Sequence, residues 1–200
     1  MTVQEKTFEY LMIRKDWIDI VRSQALKQQL YNNGLKLISE FINRTGRKAR
    51  LLGGIKTDES IRRKIRQQGE EGNMARAVLD LWDVVRFKIV LRDLPDVLFV
   101  AEEFWREFFD GVVRCRNYYY LPRNNDVNDP YRAVHFELAD EDGSIIEVQV
   151  CSVSRDAVSL LDHPYSFKKI LPYKNDEHEC WLRTLSVKAN LLEVAQFKKL

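Results

Sequence analysis

Residues 131–150 read "YRAVHFELADEDGSIIEVQV", two alternating β-type runs around the turn-forming stretch "ADEDGS". Such a pattern predicts a β-hairpin, and its period of two commits every second residue to one face. With the turn centred on Glu141, His135 lies opposite Glu147, Val134 opposite Val148 and Phe136 opposite Ile146. The even-numbered residues then build core, while His135, Glu137, Glu147 and Gln149 share a polar face. Ile145 falls on that same face, and "DPY" just upstream delivers Tyr131 to its rim. The polar face therefore reads as a lined groove rather than open solvent.

The rest of the chain supplies elements to surround this hairpin. Apolar residues from Leu11 through Leu30 recur at helical spacing, "YNNG" reads as a break, and a second helix around "LKLISEFINR" stops near Gly46. "KARLLGGIK" reads as a short extended segment, after which Thr57 serves as N-cap for a helix "DESIRRKIRQQ". Asp58 and Glu59 sit in its first turn, where the helix dipole favours acids. Ile61 and Ile65 mark its buried side, leaving Ser60 and Lys64 as a separate i,i+4 pair. "DVVRFKIVL", from Asp83, is the clearest central strand. An amphipathic helix ending near Gly111, a strand "VVRCRNYYYL", the hairpin, a helix "SRDAVSLLDH" and a C-terminal helical region follow. The order implies an α+β class, with a central mixed β-sheet flanked by helices.

At 200 residues the chain has room for one core, and without repeats or Pro/Gly/Ser linkers it reads as a single domain. Residues 1–45 form N-terminal helices, 46–170 the core and 171–200 a C-terminal helical region. The scattered charges of the first residues leave no signal-peptide or spanning run, so a cytoplasmic protein is expected. Three cysteines without C-x-x-C spacing point away from a disulfide framework or zinc cage. The net charge of +2 hides a basic stretch: nine Lys and Arg residues from Arg44 to Arg66 face only Asp58 and Glu59. That stretch suits either a solvated helix face or an anionic partner, a polyphosphate or a nucleic acid.

Five short motifs, in order from Gly53 to Lys168, give the chain a family resemblance. "GGIKTDESIRRKI" resembles the R-x-K-x-x-x-S loop of the RelA/SpoT synthetase domain at Lys56, Ser60 and Lys64. "DVVRFK" resembles its D-x-x-G-x-R strand at Asp83, and "PYRAVH" its G-Y-x-x-x-H at Tyr131 and His135. "EVQVCS" is similar to E-x-Q-x-R-T at Glu147 and Gln149, and "DHPYSFKK" to E-H-x-x-x-Y-K at His163 and Lys168.

The resemblance implies a nucleotidyltransferase-like RelA/SpoT synthetase fold and a GTP/GDP pyrophosphokinase, moving pyrophosphate from ATP to the ribose 3′-hydroxyl of GDP or GTP to make (p)ppGpp. It implies Mg²⁺ held by Asp83 and Glu147, with Glu147 also taking the proton of the attacking hydroxyl. Lys56, Ser60, Arg63 and Lys64 would bind the donor's phosphates; Tyr131 would stack on the acceptor base, with His135 and Gln149 beside it and His163 and Lys168 at the site's edge. The departures are Gly54 for the loop's Arg, Arg86 for Gly and Lys88 for Arg in the metal strand, Pro130 for Gly and Cys151 for Arg. Arg has a planar fork that Lys lacks, so donor binding, to which Arg86 and Lys88 are also assigned, should differ, with Arg86, Arg62 and the basic run before Gly53 as the groups that compensate. With three histidines in the chain, the ligands of the family's HD hydrolase domain are missing. A stand-alone small alarmone synthetase is expected, a type that includes homotetramers and a toxic subgroup that modifies the 3′ end of tRNA and is restrained by an antitoxin. The remaining reading is a non-catalytic domain that binds nucleotide or a partner protein.

Overall fold

The computed structural model describes residues 23–69, 83–122, 129, 131–139, 144–166 and 176–197, with the backbone alone at 65–69, 162–166, 176–179 and 197. Helix α1 (Gln24–Thr45) leads into β1 (Ala49–Ile55), α2 (Asp58–Gly69) and β2 (Val85–Leu91). Then come α3 (Leu94–Glu107), β3 (Val112–Asn117), β4 (Val134–Ala139), β5 (Ile145–Ser152), α4 (Val153–Ser166) and α5 (Asp176–Phe197). The strands form one mixed sheet, ordered β1-β2-β5-β4-β3, with β2 and β5 parallel and the other neighbours antiparallel. This is the expected α+β architecture. Among the described residues no helix is long and apolar enough to cross a membrane.

Parity divides the sheet. Along β2, Val85, Phe87, Ile89 and Leu91 are completely buried, while Arg86 is exposed and Lys88 partly so. The buried face lies under α1 and α3. Its aromatic centre is Phe41, Phe104, Phe108 and Phe136, with ring centroids 4.6–5.6 Å apart. Each such ring stabilises the fold by about 2 kcal/mol through burial. The helices begin where side chains satisfy free N–H groups: Ser23 Oγ accepts from the N–H of Leu26, Thr57 Oγ1 from Ser60 and Asp93 Oδ1 from Asp96.

Two expectations need correction. The described part of the N-terminal region is one helix, running through "YNNG" to a left-handed Gly46 (φ 65°); residues before 23 lie outside the described set. Gly34 is there for contact rather than for a break. A Cβ on it would stand 2.6 Å from the Phe87 ring, so its absence lets α1 lie close on β2. Second, the hairpin is displaced by two residues: Ala139 pairs with Ile145, His135 with Gln149 and Glu137 with Glu147, centring the connection on Asp142. Pairing extends to Ala139 and Ile145, so the strands run up to the stretch expected to join them. A two-residue shift preserves parity, so His135, Glu137, Glu147 and Gln149 still share one face. Ile145, expected on that face at the start of β5, is instead buried in the main core cluster.

At the far end of β5, the Arg155 guanidinium is buried against α5. Its Nε and Nη2 donate to Glu193 at 2.9–3.2 Å, and Nη1 donates to Ser186 Oγ. Ser152 Oγ donates to the same carboxylate at 2.8 Å. This network ties the C-terminal helix to the sheet.

Candidate active site

Because β2 and β5 run parallel, the residues at their starts meet at one sheet edge. Arg86 pairs with Glu147, and Asp83 lies just before β2. Asp83 receives two ammonium groups: Lys56 Nζ on Oδ2 at 2.6 Å and Lys64 Nζ on Oδ1 at 2.9 Å. Lys56 comes from the segment after β1, and Lys64 from α2, one turn beyond Ser60. Burial alone would raise the Asp83 carboxyl, but the charges of Lys64 and Lys56 and their hydrogen bonds outweigh it and hold the group down to about 2. Burial lowers the Lys56 ammonium from its ordinary range, partly offset by Asp83.

Glu147 lies inward of this cluster. Burial raises its carboxyl, and the negative charge of Asp83 raises it further; the Gln149 hydrogen bond and the charges of Arg86 and Lys64 oppose the rise. The Gln149 side-chain amide donates to Glu147 Oε1, while His135 Nδ1 stands 3.9 Å from Oε2. The other ring nitrogen of His135 meets the Tyr131 hydroxyl at 2.5 Å. Tyr131, His135 and Glu147 thus form a continuous row across β4 and β5. Glu137 faces Glu147 directly, an unfavourable pairing of like charges. The Arg114 guanidinium on β3 offsets it, donating from Nε to Glu137 Oε2 at 2.7 Å.

Most of the residues selected from sequence therefore converge: Lys56, Ser60, Lys64, Asp83, Arg86, Tyr131, His135, Glu147 and Gln149 share one sheet face or its edge. Gln149, expected beside the acceptor, donates its side-chain amide to Glu147 on the same face. Arg63 is exposed on α2. Lys88 departs from its expected group: its ammonium is held by Asp156 Oδ1 at 2.8 Å, beside Arg50 on Oδ2 at 2.6 Å. The side chain of His163 and all of Lys168 lie outside the described residues. The basic stretch also divides. Arg44 and Arg47 pair with Glu107 and Asp96 of α3, and buried Lys27 holds Asp58 at 2.5 Å, whereas Lys56 and Lys64 reach the cluster at Asp83.

Asp156, Arg114 and Tyr118 escaped the sequence reading, because each acquires its place through tertiary contacts. Gly54 gains meaning in the same way. It pairs directly with Arg86, and nothing lies within 4 Å of the Cβ it lacks. The guanidinium that position 54 lacks is thus present at the paired position on β2.

One mixed five-stranded sheet with flanking helices makes this an α+β protein. No family model matches the sequence, and no curated protein matches it. Solved structures do. Small alarmone synthetase 1 from Bacillus subtilis superposes with a TM-score of 0.67 at 17% identity, over 86% of this chain and 91% of that one. The same enzyme bound to its product pppGpp gives 0.62 at 18%, over 92% and 96%. The Type VI effector Tas1, in complex with its immunity protein, gives 0.55 at 17%, over 86% and 94%. The chain has the fold of the stand-alone small alarmone synthetases.

Proposed function

We propose that the protein is a pyrophosphokinase that transfers the β,γ-pyrophosphoryl group of ATP to the 3′-hydroxyl of GDP or GTP. The observation that carries this is the convergence of Asp83 and Glu147 at one edge, with Lys56 and Lys64 on one side and Tyr131 and His135 on the other. In the reaction the acceptor's 3′-oxygen bonds to the β-phosphorus, the bond from that phosphorus to the α,β-bridging oxygen breaks, and AMP leaves.

The chain's residues divide the work. Glu147, oriented by Gln149, takes the 3′-hydroxyl proton. Lys56 and Lys64 transfer their ammonium groups from Asp83 to the donor's phosphates, and Arg86, paired across the strands with Gly54, supplies the forked cation. Tyr131 and His135 receive the acceptor. The two carboxylates repel each other across the site, which fits a divalent cation between them. Asp83 and Glu147 would hold Mg²⁺ together with phosphate oxygens. Bound there, the ion would neutralise charge on the transferring group.

The likeness to Tas1, an effector found in complex with its immunity protein, supports a second reading in which this chain is an effector bound by a partner protein. An acceptor other than GDP or GTP, such as tRNA, would belong to that reading. The test is incubation with γ-labelled ATP, Mg²⁺ and, separately, GDP, GTP, ATP or deacylated tRNA. Label in guanosine tetra- or pentaphosphate supports the main reading, and label in an adenosine product or tRNA supports the second. No transfer with nucleotide binding intact makes the domain a non-catalytic binder. Glu147→Gln should abolish transfer and leave nucleotide binding largely intact.

A further inference from the structure

Tyr118, Tyr119 and Tyr120 follow one another at the end of β3 and go to three different places. Tyr120 is exposed, while Tyr119 packs against the core with its hydroxyl accepting from the Ser152 N–H at 3.2 Å. Tyr118 turns onto the open face. Its N–H donates to the Ala133 carbonyl at 2.9 Å, and Asn117 Oδ1 accepts from the next two N–H groups at 3.0 and 3.3 Å. The backbone that carries the ring is therefore fixed from both sides.

The ring it presents completes a corner. Tyr118 stands 4.9 Å from the His135 ring at 90° and 5.8 Å from the Tyr131 ring at 71°, and those two stand 5.6 Å apart at 80°. Three nearly perpendicular planes give a flat ligand one face to stack on and two edges to meet. Arg116 donates towards the Tyr118 hydroxyl at 3.4 Å, and Tyr118 is only half-buried. A ring recruited solely for core packing would lie where Tyr119 does.

We propose that Tyr118 is a base-contacting residue of the acceptor subsite, forming with Tyr131 and His135 the walls that receive a purine. This rests on the reading above, in which the Tyr131 side takes the acceptor. The test measures equilibrium binding of GDP, ADP, the ATP analogue AMPCPP and base-free tripolyphosphate to the wild type and to Tyr118→Phe and Tyr118→Leu. Leucine keeps apolar bulk at the turn while removing the flat ring, so the fold is not at stake. Tyr118→Leu should weaken the purine diphosphates about tenfold, the size of one lost base–aromatic stack, and leave AMPCPP and tripolyphosphate within about twofold. Tyr118→Phe should bind as the wild type does. Unchanged purine diphosphate binding in Tyr118→Leu, an equal loss of all four ligands, or a wild type that binds neither diphosphate would each overturn the proposal. If no acceptor is pyrophosphorylated but the selective loss is seen, the transfer reading fails and this one stands.

Discussion

Asp83 and Asp156 are both carboxylates gripped by two cations, yet their surroundings assign them different work. The Asp83 side chain is 20% exposed and its lysines come from a segment and a helix at the sheet edge. The Asp156 side chain is 1% exposed, and its partners Arg50 and Lys88 rise from the sheet itself. An ammonium on an accessible carboxylate can transfer to an incoming phosphate at little cost. A carboxylate shut away from water cannot release its cations without being left as an unpaired buried charge. Similar ion clusters thus serve exchange in one place and architecture in the other, and burial decides between them.

The comparison breaks most sharply at Asp83 itself. Asp83→Asn should lower the rate of transfer at least a hundredfold, in the range expected when a charge-organising or proton-handling group is lost, while changing stability by no more than about 1 kcal/mol. Single-turnover kinetics beside a urea titration measures both. Asp156→Ala should do the reverse: about 2 kcal/mol of stability is lost, less than for a fully buried pair because Arg50 and Lys88 can reach water. Calorimetry should show a Tm lowered by roughly 5 °C, with transfer per folded molecule largely retained. An Asp156→Ala protein that is stable but inactive would move the second cluster into the catalytic machinery.

A smaller effect is expected from exchanging Gly54 and Arg86. Since the two pair across β1 and β2 and space is open at Gly54, the Gly54→Arg, Arg86→Gly double variant should restore most of the ATP affinity that Arg86→Gly loses. Coupling between such neighbours is typically about 0.5–3 kcal/mol. The smallest readout is chemical. Burial pushes the Cys151 thiol, beside the Asp156 cluster on β5, up to about 12, so the reactive thiolate is suppressed at neutral pH. Iodoacetamide at pH 8 should therefore label exposed Cys180 in the native protein and spare Cys151 until urea unfolds it.

Much of this arrangement was legible because alternation is a local signal. It placed Glu147, Gln149 and His135 on one face even though the pairing register differed by two residues. The motif spacing likewise located Lys56, Lys64 and Asp83, whose contacts arise from short segments. What stayed hidden depended on distant partners. Gly34 reads as a helix break until Phe87 is seen against it, and the ion pair of Lys88 depends on Asp156 of α4, which lies 68 residues further along the chain. Tyr118 cannot be told from Tyr119 or Tyr120 by composition; only the bond to Ala133 turns it onto the open face.

The division of each strand into a buried and an open side also bears on how such a chain tolerates insertions and deletions. One residue gained within β5 would turn Glu147 and Gln149 towards the Phe87 core and bring Val148 out to the reaction side, removing fold and chemistry together. The same residue added to the 140–144 connection would leave both faces in place. Length variation is therefore channelled into the connections, and a lineage carrying this sheet can remodel its rim while the paired strands stay in register.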